Sequence, residues 1–259
     1  MHEPGGPEVL YLGEVPRPEP GPGEVLVKVA ATAVNRADTL QRRGKYPVPP
    51  GESEILGLEM SGEIVAIGKK CTQRQVGERV CGLLGGGGHA EYAVLPEAMA
   101  LPLPQELDLV EAAAIPEVFL TAYQALHWLA KLQAGERVLV HAGASGVGTA
   151  AIQLARLAGS EVLVTASAGK HDLCRSLGAG RCIDYRTEDF AAVVEAETGG
   201  KGVDIILDFV AAPYFQPNLD SLARDGRLIM LALLGGLKPE GVNLLPVLRK
   251  RLHIQGSTL

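Results

Sequence analysis

Residues 137–156 (RVLVHAGASGVGTAAIQLAR) constrain the fold of this chain more than any other part of its sequence. A short apolar run leads directly into Gly143, Gly146 and Gly148, and an alanine-rich run with helical spacing follows. Small residues suit such a turn, because the chain reverses sharply, its N–H groups can approach a phosphate and the new helix packs close to the strand. The spacing G-x-x-G-x-G differs from the common G-x-G-x-x-G. A tight strand-to-helix turn that binds nothing is the alternative.

The segment after residue 113 predicts an alternation of strands and helices. Six short apolar runs with few charges are separated by runs with helical spacing, which is typical of a doubly wound parallel sheet covered on both faces. This context favours nucleotide binding by the glycine turn. The predicted strands are residues 137–141, 161–165, 181–184, 203–208, 227–231 and 252–257, and the predicted helices include 147–158, 170–177 and 190–196.

The first hundred residues have a different pattern. Short apolar runs alternate with Pro- and Gly-rich clusters, which predicts a small, loop-rich β domain. A run with helical spacing begins at Pro116. We therefore divide the chain into residues 1–112 and residues 113–259. The predicted strands of the first domain are residues 25–30, 61–67, 79–84 and 90–95.

Composition narrows the classes of partner. The formal net charge of −6 and the lack of a basic face argue against a nucleic-acid partner. No apolar stretch approaches the roughly 18 residues of a membrane span, and the first residues lack a signal-peptide pattern, so we expect a cytoplasmic protein. The dispersed cysteines and histidines are interpreted as structural or surface residues.

The end of the second predicted strand bears on cofactor choice. NAD sites usually place an acidic residue there to hold the ribose 2′-OH, but this chain reads Thr165, Ala166, Ser167, Ala168, Gly169, Lys170. A hydroxyl and a lysine can bind a 2′-phosphate, so the pattern favours NADPH. The alternative is a solvated lysine at a helix start, and the nearby Asp172 counts against the phosphate interpretation.

Several stretches together resemble the quinone oxidoreductases of the medium-chain dehydrogenase/reductase superfamily. The resemblance covers essentially all of the chain and implies a GroES-like β-rich domain followed by a Rossmann-type NADPH-binding domain. It also implies homodimerisation of the full-length form through the sixth strand. The stretches that carry it are residues 4–8 (PGGPE), 35–38 (NRAD), 56–59 (LGLE), 112–117 (AAAIPE), 133–135 (QAG) and 141–156 (HAGASGVGTAAIQLAR).

The resemblance also implies that the chain holds no metal. Zinc enzymes of this superfamily carry a cysteine and a histidine at positions that match Asn35 and Leu58 here, and neither an amide nor an isobutyl group replaces a thiolate or imidazole ligand. Glu59 remains, but one carboxylate does not make a metal site. Without a Lewis acid, alcohol oxidation is poorly supported.

The family pattern implies two groups of site residues. It places Asn35, Asp38 and Tyr46 in the cleft near the nicotinamide, with Tyr46 able to stack on an acceptor ring or donate to its carbonyl oxygen. The alternatives are a turn tyrosine beside Pro47 and an Asp38 that only orients its loop. Residues implied to contact the cofactor are Tyr46, Thr121, Ser145, Gly146, Val147, Gly148, Lys170, Tyr185, Leu233, Leu234 and Gly235.

The expected function is therefore transfer of reducing equivalents from NADPH to a quinone. Two alternatives stay open: an NADPH-dependent enal or enoyl double-bond reductase, and a shortened NADPH-binding protein with little turnover. The family usually has a strand before residue 4 and a helix and return segment after the sixth strand. Relative to that pattern this sequence is short at both ends, so we expect exposed apolar surface and a tendency to associate.

Overall fold

The structure of the protein, a computed structural model, describes residues 3–259. Its contacts divide the chain into two compact units, of which the first ends at Glu117 and the second begins at Val118. Within the described residues, no helix is long and apolar enough to span a membrane.

The first unit is built on a five-stranded antiparallel sheet with the strand order β4-β1-β2-β3-β5. The predicted β-rich first domain is confirmed. The sheet carries the short helix α1 (Arg36–Arg42), and α2 (Leu109–Ala112) follows it in the chain. The strands are β1 (Glu24–Thr32), β2 (Glu59–Ile67), β3 (Arg79–Leu83), β4 (Tyr92–Pro96) and β5 (Leu101–Pro102).

The core of the first unit follows from strand alternation. Successive side chains of a strand point to opposite faces, so alternate apolar residues share one buried face. Val25 and Val27 of β1 pack with Met60 and Ile64 of β2 and with Leu95 of β4, and all five side chains are at most 2% exposed.

The second unit is a six-stranded parallel sheet with the order β11-β10-β9-β6-β7-β8, which confirms the predicted doubly wound sheet. Strand order reverses at β6, where ligands of such sheets usually bind beyond the carboxyl ends of the strands. The strands are β6 (Arg137–Val140), β7 (Glu161–Ala166), β8 (Arg181–Asp184), β9 (Val203–Asp208), β10 (Leu222–Met230) and β11 (His253–Gly256).

Helices cover both faces of this sheet. Val138 and Val140 of β6 belong to one apolar core, whereas Leu139 between them belongs to the other. Two buried faces explain why the strands are continuous apolar runs. The helices are α3 (Pro116–Tyr123), α4 (Gly146–Leu157), α5 (His171–Leu177), α6 (Phe190–Thr198), α7 (Phe215–Ser221) and α8 (Leu245–Lys250).

Two elements differ from the sequence prediction. The helix that begins at Pro116 changes after Tyr123 into a π-helix over Gln124–Leu129, which apolar spacing alone does not reveal. Strand β10 begins at Leu222, five residues before the predicted start at Arg227. Leu222 already pairs with Val203, and an irregularity in register then separates it from Arg227.

Candidate functional site

The glycine turn between β6 and α4 is shaped by close packing. A Cβ atom on Gly148 would lie 2.4 Å from the carbonyl oxygen of Ala142, and one on Gly143 would lie 2.6 Å from Cβ of Val164. Neither space admits a side chain. Ser145 caps α4, because its Oγ accepts a hydrogen bond of 3.1 Å from the Gly148 N–H.

The first turn of α4 has the character of an anion-binding site. The first N–H groups of any helix lack partners within the helix, and its dipole is positive at this end. Helix α4 is twelve residues long and has no acidic residue in its first turn. Ser145 and Gly146 are exposed and Val147 is half-buried, so the turn is open to a ligand.

A depression of about 240 Å³ lies beside this turn. It brings together four of the predicted cofactor residues: Ser145, Ser167, Lys170 and Tyr185. Its other lining residues are alanines, so it presents one cation, three hydroxyl groups and no carboxylate. Asp172 is not among the lining residues, and its carboxylate forms an ion pair of 3.0 Å with Arg175. This donor set suits a phosphorylated ribose.

The loop that contains Leu233, Leu234 and Gly235 lies at the same carboxyl edge of the sheet. It follows β10 and is held against the turn after β9, because Leu234 N donates to the carbonyl oxygen of Phe209 (3.1 Å) and Gly235 N to that of Val210 (2.7 Å). All three residues are exposed. Neither this loop nor Thr121, which is half-buried on α3, lines the depression.

In the first unit, Asn35 and Asp38 meet around a buried carboxylate that the sequence analysis treated only as a remnant. The Asn35 side-chain amide donates to Glu59 Oε1 over 2.7 Å, and the Asn35 backbone N–H donates to Asp38 Oδ2 over 2.7 Å. Asp38 Oδ1 accepts from the Gly57 N–H over 3.1 Å. Glu59 is 1% exposed and Asp38 is 3% exposed.

Glu117 joins this cluster, although it is 58 residues from Glu59 in sequence. Its backbone N–H donates to Glu59 Oε2 over 2.9 Å. Burial, together with the nearby charges of Glu59 and Asp38, raises the pKa of Glu117 to about 7. Burial also raises the pKa of Glu59. The sequence analysis did not assign Glu117 a role, because only the fold brings the two glutamates together.

Tyr46 is not part of this hydrogen-bond network. It lies in the loop that follows α1, and 36% of its surface is exposed. The structure therefore brings together two of the three predicted residues of the first domain and leaves the third apart.

The residues at the position of a zinc site do not suit zinc. Both Glu59 oxygens accept hydrogen bonds from nitrogen donors, and Leu58 offers an apolar side chain that is 7% exposed. Across residues 3–259, no three His, Cys, Asp or Glu side chains form a group that could hold a metal ion.

One further polar group lies near the glycine turn, and it is one of the histidines interpreted from the sequence as structural or surface residues. His141, just after β6, is fully buried, with Nδ1 3.0 Å from Thr165 Oγ1 and Nε2 2.8 Å from Asn218 Oδ1. Asn218 in turn donates to Asp208 Oδ2 over 3.1 Å. Local sequence spacing does not reveal this pair, because Asn218 is 77 residues from His141.

Comparison with known proteins gives two family matches. The alcohol dehydrogenase GroES-like domain matches residues 21–105, and the zinc-binding dehydrogenase family matches residues 146–259. Among curated proteins, a putative inactive phenolphthiocerol synthesis polyketide synthase of Mycobacterium tuberculosis is 43% identical over 209 residues. That match covers 80% of this chain but only 13% of the synthase, so the chain spans about an eighth of that relative's length.

Solved structures also resemble this chain over its whole length, among them the following three. An NAD-dependent alcohol dehydrogenase has a TM-score of 0.90 and 35% identity, and the match covers 100% of this chain and 83% of the other. The CurK enoyl reductase has a TM-score of 0.89, 32% identity and coverage of 100% and 79%. The Escherichia coli quinone oxidoreductase complexed with NADPH has a TM-score of 0.88, 31% identity and coverage of 100% and 79%.

Proposed function

Because this chain belongs to the medium-chain dehydrogenase/reductase superfamily, with its GroES-like and Rossmann-type parts, we propose that it is an oxidoreductase that passes reducing equivalents from NADPH to a quinone. The observation that carries the proposal is the depression beside the glycine turn. It combines a helix N-terminus with Ser167, Lys170 and Tyr185, and its lining includes no carboxylate.

The choice of NADPH follows from charge. An acidic residue at the end of the second Rossmann strand favours NAD by binding the ribose 2′-OH and repels a 2′-phosphate. Here Ser167 stands at that place and Lys170 follows it, so the 2′-phosphate gains a cation and a hydroxyl donor. Ser145, Gly146, Val147 and Gly148 take the pyrophosphate in this proposal. The remaining cofactor contacts are assigned to Tyr46, Thr121, Leu233, Leu234 and Gly235.

The direct test of the cofactor is a pair of thermal melts with NADPH and with NADH. A ligand that binds only the folded state stabilises it in proportion to RT ln(1 + [L]/Kd). We expect NADPH to raise the melting temperature more than NADH does at equal concentration. The NAD-dependent alcohol dehydrogenase among the similar structures makes this comparison informative, and equal shifts would refute the assignment of NADPH.

A quinone can be reduced without a metal ion and without an acid supplied by the protein. It is already electrophilic, and its oxygens take protons from water once they carry the added electrons. Catalysis then rests mainly on holding the acceptor and the bound NADPH, which supplies the reducing equivalents, in a reactive orientation. We assign Asn35, Asp38 and Tyr46 to the acceptor side, with Tyr46 stacking on the quinone ring or donating to its carbonyl oxygen.

The buried carboxyl cluster favours a second candidate, reduction of a conjugated double bond. Such a reduction adds a proton to carbon, which an acid can deliver, whereas quinone oxygens are protonated by solvent. Glu117 has a pKa of about 7 and therefore holds a proton in a large fraction of molecules near neutral pH. The CurK enoyl reductase is among the similar structures.

A substrate panel separates the two reductases. We expect NADPH oxidation with phenanthrenequinone to be faster than with 2-alkenals, and the substitution Glu117→Gln to leave quinone turnover within about twofold. Faster turnover of the alkenals, with a loss of about tenfold or more in Glu117→Gln, would establish the second candidate instead. Glu111→Gln, an exposed glutamate of α2, is the matched control.

A third outcome is a binding protein without turnover. Tight NADPH binding and no oxidation with either substrate class would favour it.

A homodimer paired through β11 and a cytoplasmic location also belong to the proposal. The dimer rests on the position of β11 at the edge of its sheet and on its exposed side chains. Light scattering across a range of protein concentrations tests the dimer.

A further inference from the structure

A chain of buried polar side chains connects the turns that follow three neighbouring strands of the second unit. Asp208 ends β9, His141 follows β6 and Thr165 stands near the end of β7, while Asn218 of α7 lies between Asp208 and His141. None of the four side chains is more than 2% exposed. Burying polar groups is costly unless each is paired, and here each has a partner.

The hydrogen bonds among these four side chains are all donated in the same direction, from Thr165 towards Asp208. A carboxylate only accepts, so the Asn218 amide nitrogen faces Asp208 and its oxygen faces His141. That oxygen also only accepts, so Nε2 of His141 carries the proton and Nδ1 accepts from the Thr165 hydroxyl. Burial lowers the pKa of His141, in keeping with a neutral ring, and the rings of Phe190 and Tyr214 pack against it at 4.7 and 4.8 Å.

The two end members of this network of side chains, Thr165 and Asp208, accept hydrogen bonds from backbone N–H groups of turns. At one end, Thr165 Oγ1 accepts from the N–H of Ala142, which opens the glycine turn with φ +49°. At the other end, Asp208 accepts from the N–H groups of Val210 and Ala211, and Ala211 has φ +68°. Positive φ is unfavourable for alanine, so both turns require support from their surroundings.

The turn after β9 carries a further loop. Leu234 N and Gly235 N donate to the carbonyl oxygens of Phe209 and Val210, so the loop after β10 is fixed to the same backbone that Asp208 holds. The chain of side chains therefore links the glycine turn, assigned above to the pyrophosphate, with the loop assigned to the nicotinamide side of the cofactor.

We propose that His141 and Asn218 are positioning residues that hold the glycine turn and the turn after β9 in the geometry that binds the dinucleotide. This inference rests on the proposed NADPH binding. A buried polar chain adds little net stability compared with an apolar core, but it fixes one arrangement of the groups that it joins. Its contribution is thus expected in ligand affinity as well as in the free energy of unfolding.

The test measures the dissociation constants of adenosine 2′,5′-bisphosphate and NADPH for His141→Phe and Asn218→Leu, at a temperature well below each variant's melting point. We expect both ligands to bind about tenfold more weakly, as for the loss of a hydrogen bond. The key case is Asn218→Leu, since Asn218 lies on α7 and affects the glycine turn only through His141. The control Thr198→Val removes a buried hydroxyl that bonds locally to Val194 O and Gly202 N.

A conservative variant separates the positioning role from a loss of folding, and a spectrum checks the direction of the hydrogen bonds. Gln at position 141 keeps one donor and one acceptor, so His141→Gln should restore affinity to within about threefold of the original chain. The ¹⁵N spectrum of the His141 ring should show a proton on Nε2 that persists from pH 6 to 8.

The results that would contradict this inference differ from the result that would contradict the proposed function. Unchanged affinity in Asn218→Leu, an equal loss in Thr198→Val, or a proton on Nδ1 would overturn the inference. Failure of the unmodified chain to bind either ligand would instead overturn the proposed function, and this inference with it.

Discussion

The side-chain amide of Asn35 and the carboxylate of Glu59 are joined by a 2.7 Å hydrogen bond across 24 residues of sequence. Because the second oxygen of Glu59 accepts from the Glu117 N–H, the buried carboxylate is held from two sides by donors of the same unit. The arrangement fixes Asn35 at the start of α1 and keeps three carboxyl groups close together. Burial and the mutual repulsion of these carboxyl groups should make the stability of this unit depend on pH.

The stability of the first unit should fall as the pH rises from about 5 to 8. The pKa of Glu117 is about 7 in the folded chain and ordinary in the unfolded chain, so the folded state binds more protons in this window. The free energy of unfolding then decreases with pH, at about 1.4 kcal/mol for each unit of pKa difference and less here because Glu117 is only partly buried. Urea unfolding at a series of pH values measures the slope.

Glu117→Gln should flatten that slope, because an amide does not titrate. Glu111→Gln, on the exposed face of α2, should leave the slope as it is. If Glu117→Gln retains the full decrease, the titration belongs to another group, and Glu59, whose pKa is also raised, becomes the group to substitute next.

Lys170→Ala should weaken NADPH binding by about tenfold or more and leave NADH binding unchanged. A charge-assisted hydrogen bond to the 2′-phosphate contributes roughly 1.5–3 kcal/mol, and NADH has no such phosphate. Titration calorimetry with both nucleotides measures the two affinities. Lys201→Ala, an exposed lysine after α6, is the control for general loss of charge. An equal loss for both nucleotides would place Lys170 elsewhere than at the 2′-phosphate.

Gly148→Ala should lower the free energy of unfolding by about 1–3 kcal/mol. Alanine normally stabilises a helix interior by up to about 1 kcal/mol relative to glycine, but here its Cβ would lie 2.4 Å from a backbone oxygen. The steric cost outweighs the gain in helix propensity. Gly169→Ala, whose Cβ would have nothing within 4 Å, should be nearly neutral in the same nucleotide-free melt. Equal stability of the two variants would contradict the packing argument.

Removal of metal should not affect the protein. Asn35 and Leu58 supply no ligand, and both Glu59 oxygens are engaged, so we expect purified protein to contain only substoichiometric zinc. Dialysis against a chelator should change neither the melting temperature nor NADPH oxidation. Zinc at one equivalent per chain, lost together with activity, would show that the protein does hold a metal ion.

The strands of the second unit were predictable because they are buried on both faces. Val138, Leu139 and Val140 read as one apolar run for that reason, and a short run of this kind bounded by turn residues is typical of a buried strand. The pocket residues Ser167 and Lys170 were predictable for a related reason, since the turn after a recognised strand has a known place at the sheet edge.

The polar networks could not be predicted in the same way. Glu59 meets Glu117 only when the first unit has folded, and His141 meets Asn218 only when the second has folded. No local period relates residues that are 58 or 77 positions apart. Nothing near Asp208 in the sequence indicates that its carboxylate accepts a hydrogen bond from the Asn218 amide on α7. Such pairs are consequences of tertiary structure.

The glycines of the turn limit what can be learned from finding them in a sequence. A side chain at Gly143 or Gly148 would collide with the strand or with the backbone of the turn, so packing alone requires glycine at both positions. At Gly146, by contrast, a Cβ would meet no backbone atom, and its close neighbour would be a γ-methyl group of Val118 at 2.8 Å. A protein that had lost its nucleotide would keep the outer two glycines for as long as it kept its architecture. A residue other than glycine at position 146 would therefore indicate the loss of nucleotide binding more directly than a change at Gly143 or Gly148.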